Sequence, residues 1–183
     1  MAIRKASAYS KKANRPYTRK SAKKARAYIK TVPFSKIVKF SMGDHEAYKS
    51  GKHQYMVRLI TEEKVLVRDN ALEASRMLLH KLMEEKAPGQ YYMMVKVAPH
   101  HMIRENKTAA GAGADRMSTG MTQSFGIVIG RAAIAKPGQD IIFVSCTDEK
   151  TARIARDSLV TIKPKIPSRT RIIFEKIAAP VVA

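Results

Sequence analysis

Apolar residues recur along this chain in two rhythms, and each marks a predicted element. The clearest helical rhythm is Ala71, Leu72, Ser75, Leu78, Leu79 and Leu82, one side of a helix that Asp69 or Asn70 can cap and Pro88-Gly89 stops. A second helix is predicted from Thr147 or Asp148 to about Val160. Asp148 and Glu149 suit its positive end, Glu149–Arg153 and Arg153–Asp157 are opposite charges one turn apart, and Pro164 and Pro167 break it. Runs of β-forming residues predict strands over 36–40, 55–60, 64–68, 91–97, 127–135, 140–146 and 171–177. Gly43-Asp44 marks a turn, and residues 44–54 read as a polar loop closing at Gly51. Thr61-Glu62-Glu63 reads as the tight turn of an antiparallel pair, and Pro137-Gly138 as the next turn. Strands outnumber helices and short turns join them. The pattern therefore predicts an α+β fold with a mainly antiparallel sheet and two helices.

Two segments carry neither rhythm. Residues 100–126 hold no sustained period, and small residues crowd their middle (Ala109-Ala110-Gly111-Ala112-Gly113-Ala114). Loops longer than about 15 residues are uncommon in compact domains and are often functional. Residues 1–35 read as an extended arm, with a short helix over 21–29 available on binding, followed by one α+β domain over 36–178. Residues 178–183 form a small apolar tail.

Charge makes the arm the strongest signal. The first 43 residues contain 13 Lys or Arg and no Asp or Glu, so most of the net +20 of this 183-residue chain lies in its opening quarter. Such a segment cannot bury enough surface to offset its ordering entropy, and it is expected to stay unstructured until a polyanion surrounds it. Arg4, Lys5, Lys11, Lys12, Arg15, Arg19, Lys20, Lys23, Lys24, Arg26 and Lys30 are the candidate phosphate contacts, and Tyr17 among them can stack on a base. A transit peptide would be Arg-rich and amphipathic, whereas this arm is Lys-heavy and interrupted by Pro16 and Pro33. Lys163, Lys165, Arg169 and Arg171 form a second basic cluster, either a phosphate-facing rim or a solvated edge that prevents mispairing of the last strand.

Catalytic chemistry is not supported. Gly111-x-Gly113 lacks the third glycine and the βαβ flanks of a dinucleotide site, and no P-loop is present. Adjacent His100 and His101 point to opposite sides of a strand end and have no further ligands at metal spacing. Cys146 closes an apolar strand and reads as core, and a lone cysteine suggests a reducing compartment. No apolar run approaches the ~18 residues of a membrane span.

At the loop the sequence resembles a known family. Pro99-His100-His101-Met102-Ile103-Arg104-Glu105-Asn106-Lys107, then Ala112-Gly113-Ala114-Asp115-Arg116, Thr119-Gly120-Met121 and Phe125-Gly126, are similar to the signature of a universal large-subunit ribosomal protein. Bacterial members are called L-sixteen; the archaeal and eukaryotic form is called L-ten-e. Ala71-Leu72-Glu73-Ala74-Ser75-Arg76, Arg15-Pro16-Tyr17 and Ile37-Val38-Lys39-Phe40 resemble other parts of it, and the motif version favours an archaeal source.

The resemblance implies a hammerhead-type α+β fold, contacts with 23S and 5S rRNA and with neighbouring large-subunit proteins, and a cytoplasmic, ribosomal location. It also implies a loop reaching the peptidyl-transferase region and the tRNA acceptor arms. Arg104, Asn106, Lys107, Gly111, Gly113, Asp115 and Arg116 would stand at that loop. No cofactor, membrane or homo-oligomer is expected. The rivals are an RNA-modifying enzyme with a basic gripping arm and a DNA-architectural protein.

Overall fold

The computed structural model describes residues 16–18, 20, 23, 28–105 and 126–177. Along them run β1 (Ser41–Gly43), α1 (His45–Lys49), β2 (Tyr55–Thr61), β3 (Val65–Arg68), α2 (Asp69–Lys86), β4 (Tyr91–Val95) and β5 (His101–Glu105). β6 (Ile127–Ala135), β7 (Asp140–Cys146), α3 (Glu149–Ile162), a 3-10 turn (Lys163–Lys165) and β8 (Thr170–Lys176) complete the order. The fold is α+β and the described strand pairs are antiparallel, as the pattern predicts.

Among the described residues, the expected single sheet and two helices are corrected to two sheets and three helices. One sheet has the order β1-β4-β7-β2-β8, the other β3-β6-β5. β2 and β3 are therefore not a hairpin: the chain crosses from one sheet to the other at Thr61–Lys64, and crosses back at Lys136–Gln139. The two crossing turns bond each other, with Gly138 N–H donating to Thr61 O at 2.7 Å and Thr61 N–H to Gln139 O at 3.1 Å. That reciprocal pair satisfies backbone groups which a hairpin would otherwise have paired.

The third helix is α1, within the segment expected to be a loop. Five residues are too few to form a helix alone. Asp44 caps it, accepting from Ala47 N–H at 2.8 Å, and Tyr48 stacks on Tyr92 of β4 with ring centroids 4.5 Å apart. Tyr48 and Tyr92 also meet Phe143 of β7, each at 6.0 Å.

A large core lies between helices and sheets. Leu72, Leu79 and Met83 of α2 and Ala155, Leu159 and Ile162 of α3 are fully buried with Val57, Leu59, Met93, Ile142 and Val144 of the larger sheet. Burying each large side chain contributes roughly 1.5–3 kcal/mol. Neither long helix is capped as expected. Asp148 makes no side-chain cap bond, and Asp69 instead accepts from Lys36 N–H at 3.1 Å. The Glu149–Arg153 pair does form, at 2.6 Å.

Candidate nucleic-acid interface

The long loop stands on a built stem. β5 and β6 pair antiparallel, Arg104 opposite Val128 and Glu105 opposite Ile127, so residues 106–125 connect two adjacent strand ends. Part of the expected loop is thus strand: residues 101–105 are β5, whose five residues are too few for a visible rhythm. Ile103, with Leu66 and Ala132, forms a small apolar cluster under this stem. His101 turns inward and is buried while His100 is exposed, the opposite orientation that adjacency predicts.

The arm meets the stem at Tyr17. Met102 N–H donates to Tyr17 O at 3.0 Å, and Tyr17 N–H donates to His101 Nδ1 at 2.9 Å. An imidazole that accepts at Nδ1 must be neutral with its proton on Nε2. Burial first, then the charge of Arg104 and of His100, holds the His101 pKa below its ordinary value, in keeping with that role. The Arg104 guanidinium lies over the Tyr17 ring, 3.7 Å from its centroid. Such a contact is worth about 0.5–2 kcal/mol, depending on how dry it is. One face of the ring expected to meet a base is therefore taken by the residue that leads into the loop.

Farther along, the expected strand over 36–40 does not form, because its backbone groups find other partners. Arg131 Nε donates to Pro33 O at 2.7 Å, Lys36 N–H to Asp69, Val38 N–H to Glu73 Oε2 at 3.3 Å, and Val95 N–H to Phe40 O at 2.8 Å. Arg76 binds Glu73 through Nε at 2.8 Å and through Nη2, and this hydrogen bonding holds the Glu73 carboxyl below its usual range. Ile29 and Ile37 are buried. Among its described residues the arm is thus held to the body at Tyr17, Ile29 and Pro33.

Of the predicted contacts, Lys20, Lys23 and Lys30 are exposed, and Tyr17 and Arg104 are half-buried. Arg4, Lys5, Lys11, Lys12, Arg15, Arg19, Lys24 and Arg26 lie outside the described residues. So do Asn106, Lys107, Gly111, Gly113, Asp115 and Arg116, most of the expected helix over 21–29, and the apolar tail. The second basic cluster flanks β8, an edge strand: Arg171 is exposed, and Arg169 reaches Glu63 at 3.5 Å. Sequence reasoning missed the parts of Asp69, Glu73 and Arg131 as clamps on residues 33–38. A carboxylate at 69 reads as a helix cap, and no local pattern says that it bonds a residue 33 positions earlier.

Among the described residues no cluster of three or more His, Cys, Asp or Glu is arranged to hold a metal ion, and no helix is long and apolar enough to cross a membrane. Burial raises the Cys146 thiol pKa to about 12, with Asp148 adding to the shift, so it is no nucleophile.

Known proteins resemble this chain over most of its length. The family model described as Ribosomal protein L16p/L10e matches residues 13–173. Large ribosomal subunit protein uL16 of Methanococcus maripaludis (strain S2) is 38% identical over 177 residues, 96% of each chain. The protein of that name from Archaeoglobus fulgidus is 39% identical over 163 residues, 88% of this chain and 87% of its own. That from Staphylothermus marinus is 39% identical over 176 residues, 96% and 95% of the two chains. With a matching model over most of its length and archaeal relatives across nearly all of it, the chain belongs to the L16p/L10e family of large-subunit ribosomal proteins, structural constituents of the ribosome rather than enzymes.

Proposed function

We propose that residues 1–35 bind ribosomal RNA as a clamped polycation, and that the loop on the β5–β6 stem reaches the tRNA acceptor arms near the peptidyl-transferase region. The observation that carries this reading is the contact of Arg104 with Tyr17, which joins the arm to the root of the loop. Arm cations neutralise phosphate and release counterions, supplying affinity without sequence preference. The arm and the domain over 36–178 then act as two parts of one RNA-facing surface. On that surface 23S and 5S rRNA and neighbouring large-subunit proteins surround the body. The loop cations Arg104, Lys107 and Arg116 meet tRNA phosphate, and Gly111 and Gly113 let backbone enter a crowded cleft.

The reading is tested by titrating rRNA fragments at increasing salt. Log K should fall by about 0.7–0.9 per unit of log salt for each phosphate neutralised. An affinity insensitive to salt would remove the electrostatic basis of the arm.

A further inference from the structure

We propose that residues 33–40, where the basic arm joins the body, form a stacking platform for unpaired RNA bases, separate from the tRNA-facing loop. Phe34 is 96% exposed, Val38 74% and Phe40 37%. A phenylalanine almost wholly in water costs a folded protein solubility, and here it does not sit on a loosely held strand end. The four hydrogen bonds described above clamp this segment from α2, β4 and β6, while Ile37 between the exposed residues turns into the core. The backbone is held and the apolar side chains are displayed.

Beside the platform runs a groove of about 440 Å³ lined by Lys20, Ser35, Phe40, Pro99, His100 and Arg131. Ser35 Oγ is buried in its wall with no hydrogen-bond partner among the described residues.

Charge selects the occupant. Lys30, Lys36 and Lys39 are exposed along the same segment, and the chain carries no acid before Asp44. The carboxylates closest to the platform, Asp69 and Glu73, are engaged by its backbone N–H groups and by Arg76. Protein interfaces are depleted in lysine, whereas aromatic rings among cations are how single-stranded nucleic acid is held. Rings take the base faces and the lysines take the phosphates. This proposal rests on the RNA-binding reading above and adds to it a contact that salt does not govern.

The chain contains no tryptophan, so Phe34→Trp in the full-length protein places its single indole on the platform, where it can be excited apart from the tyrosines. The probes are a single-stranded oligoadenylate, an abasic oligomer of the same length, and the oligoadenylate within a duplex. Oligoadenylate should quench the indole, and the other two should bind without quenching it. Phe34→Ala should weaken oligoadenylate binding by about 5- to 150-fold with an unchanged salt slope, leaving the abasic affinity as it was. Val38→Ser should give a smaller loss in the same direction. Both positions are in solvent, so neither substitution disturbs the core.

Oligoadenylate affinity unaltered by Phe34→Ala overturns the platform and leaves arm binding intact. Failure of the unaltered chain to bind any of the three probes overturns both readings. If Phe34→Ala leaves RNA affinity alone but abolishes association with another large-subunit protein, the surface is a protein docking site and the proposal is wrong.

Discussion

Gly43 ends β1, the strand that ties the platform to the body, and replacing it with alanine separates two costs that are usually confounded. Its φ is +93°, and an added Cβ would lie 2.2 Å from Tyr91 O and 3.1 Å from Tyr92 Cα, both backbone atoms of β4. Gly138 has a similar φ of +77°, but a Cβ there would meet nothing within 4 Å. Gly138→Ala therefore carries conformational strain alone, about 1 kcal/mol. Gly43→Ala carries that strain and a collision with backbone that cannot rotate aside. Relief requires β1 to move off β4, weakening the ladder that pairs Gly43 with Tyr92 and the Asp44 N–H bond to Tyr91 O at 2.9 Å. At about 0.5–1.5 kcal/mol for each of these two interactions lost, the total reaches about 2–4 kcal/mol. That is a large part of the roughly 5–15 kcal/mol that stabilises a typical domain. Urea unfolding followed by circular dichroism reads both variants, with unchanged m-values showing that only stability moved. Equal losses for the two variants, within about 0.5 kcal/mol, would refute the steric argument.

Acidification should loosen the fold through two histidines. Burial lowers the pKa of His101, with Arg104 and His100 adding to it, and burial lowers that of His53 against the opposing charge of Asp44. Both contribute stability that is full above the unfolded-state value near 6.5 and is lost as pH falls through their depressed folded values. The urea midpoint should thus decline from pH 7 to pH 5, less steeply in His101→Asn, and a flat profile would count against the buried neutral imidazoles. The Cys146 thiol, fully buried, should react with iodoacetamide only when the chain is unfolded, which labelling across a urea series would reveal. Arg104→Ala and Arg116→Ala should impair tRNA-dependent steps more than subunit assembly, and deleting residues 1–30 should do the reverse. Equal incorporation of truncated and full-length chains into subunits would contradict the role given to the arm.

How much of this was legible in the sequence depended on whether an element had two unlike faces. α2 and α3 show one apolar side and were predicted within a few residues of their observed ends. The division into two sheets was hidden. Val65, Leu66 and Val67 are all buried, as is every residue from Ile141 to Cys146, and a continuous apolar run does not say which neighbour it prefers. α1 was missed because its support comes from Tyr92, far along the chain. Of the site residues expected from charge and glycine content, Tyr17 and Arg104 lie in contact, while Gly111 and Gly113 fall outside the described residues. The clamps were not legible, since Asp69, Glu73 and Arg131 reach residues 33–38 across 33 to 98 positions.

The larger sheet imposes an order on biosynthesis. Its inner strand β2 is bordered by β7 and β8, and Val57 lies opposite both Val144 and Phe174. Its hydrogen-bonding edges stay bare until the last hundred or so codons have been read, and non-local pairings of this kind form slowly. The groups that hold Tyr17, Pro33 and Lys36 come from β5, β6 and α2, and all are made after the cationic leading segment. Closure of the inner strand on both sides therefore waits for β8, almost the last segment of the described chain to be made.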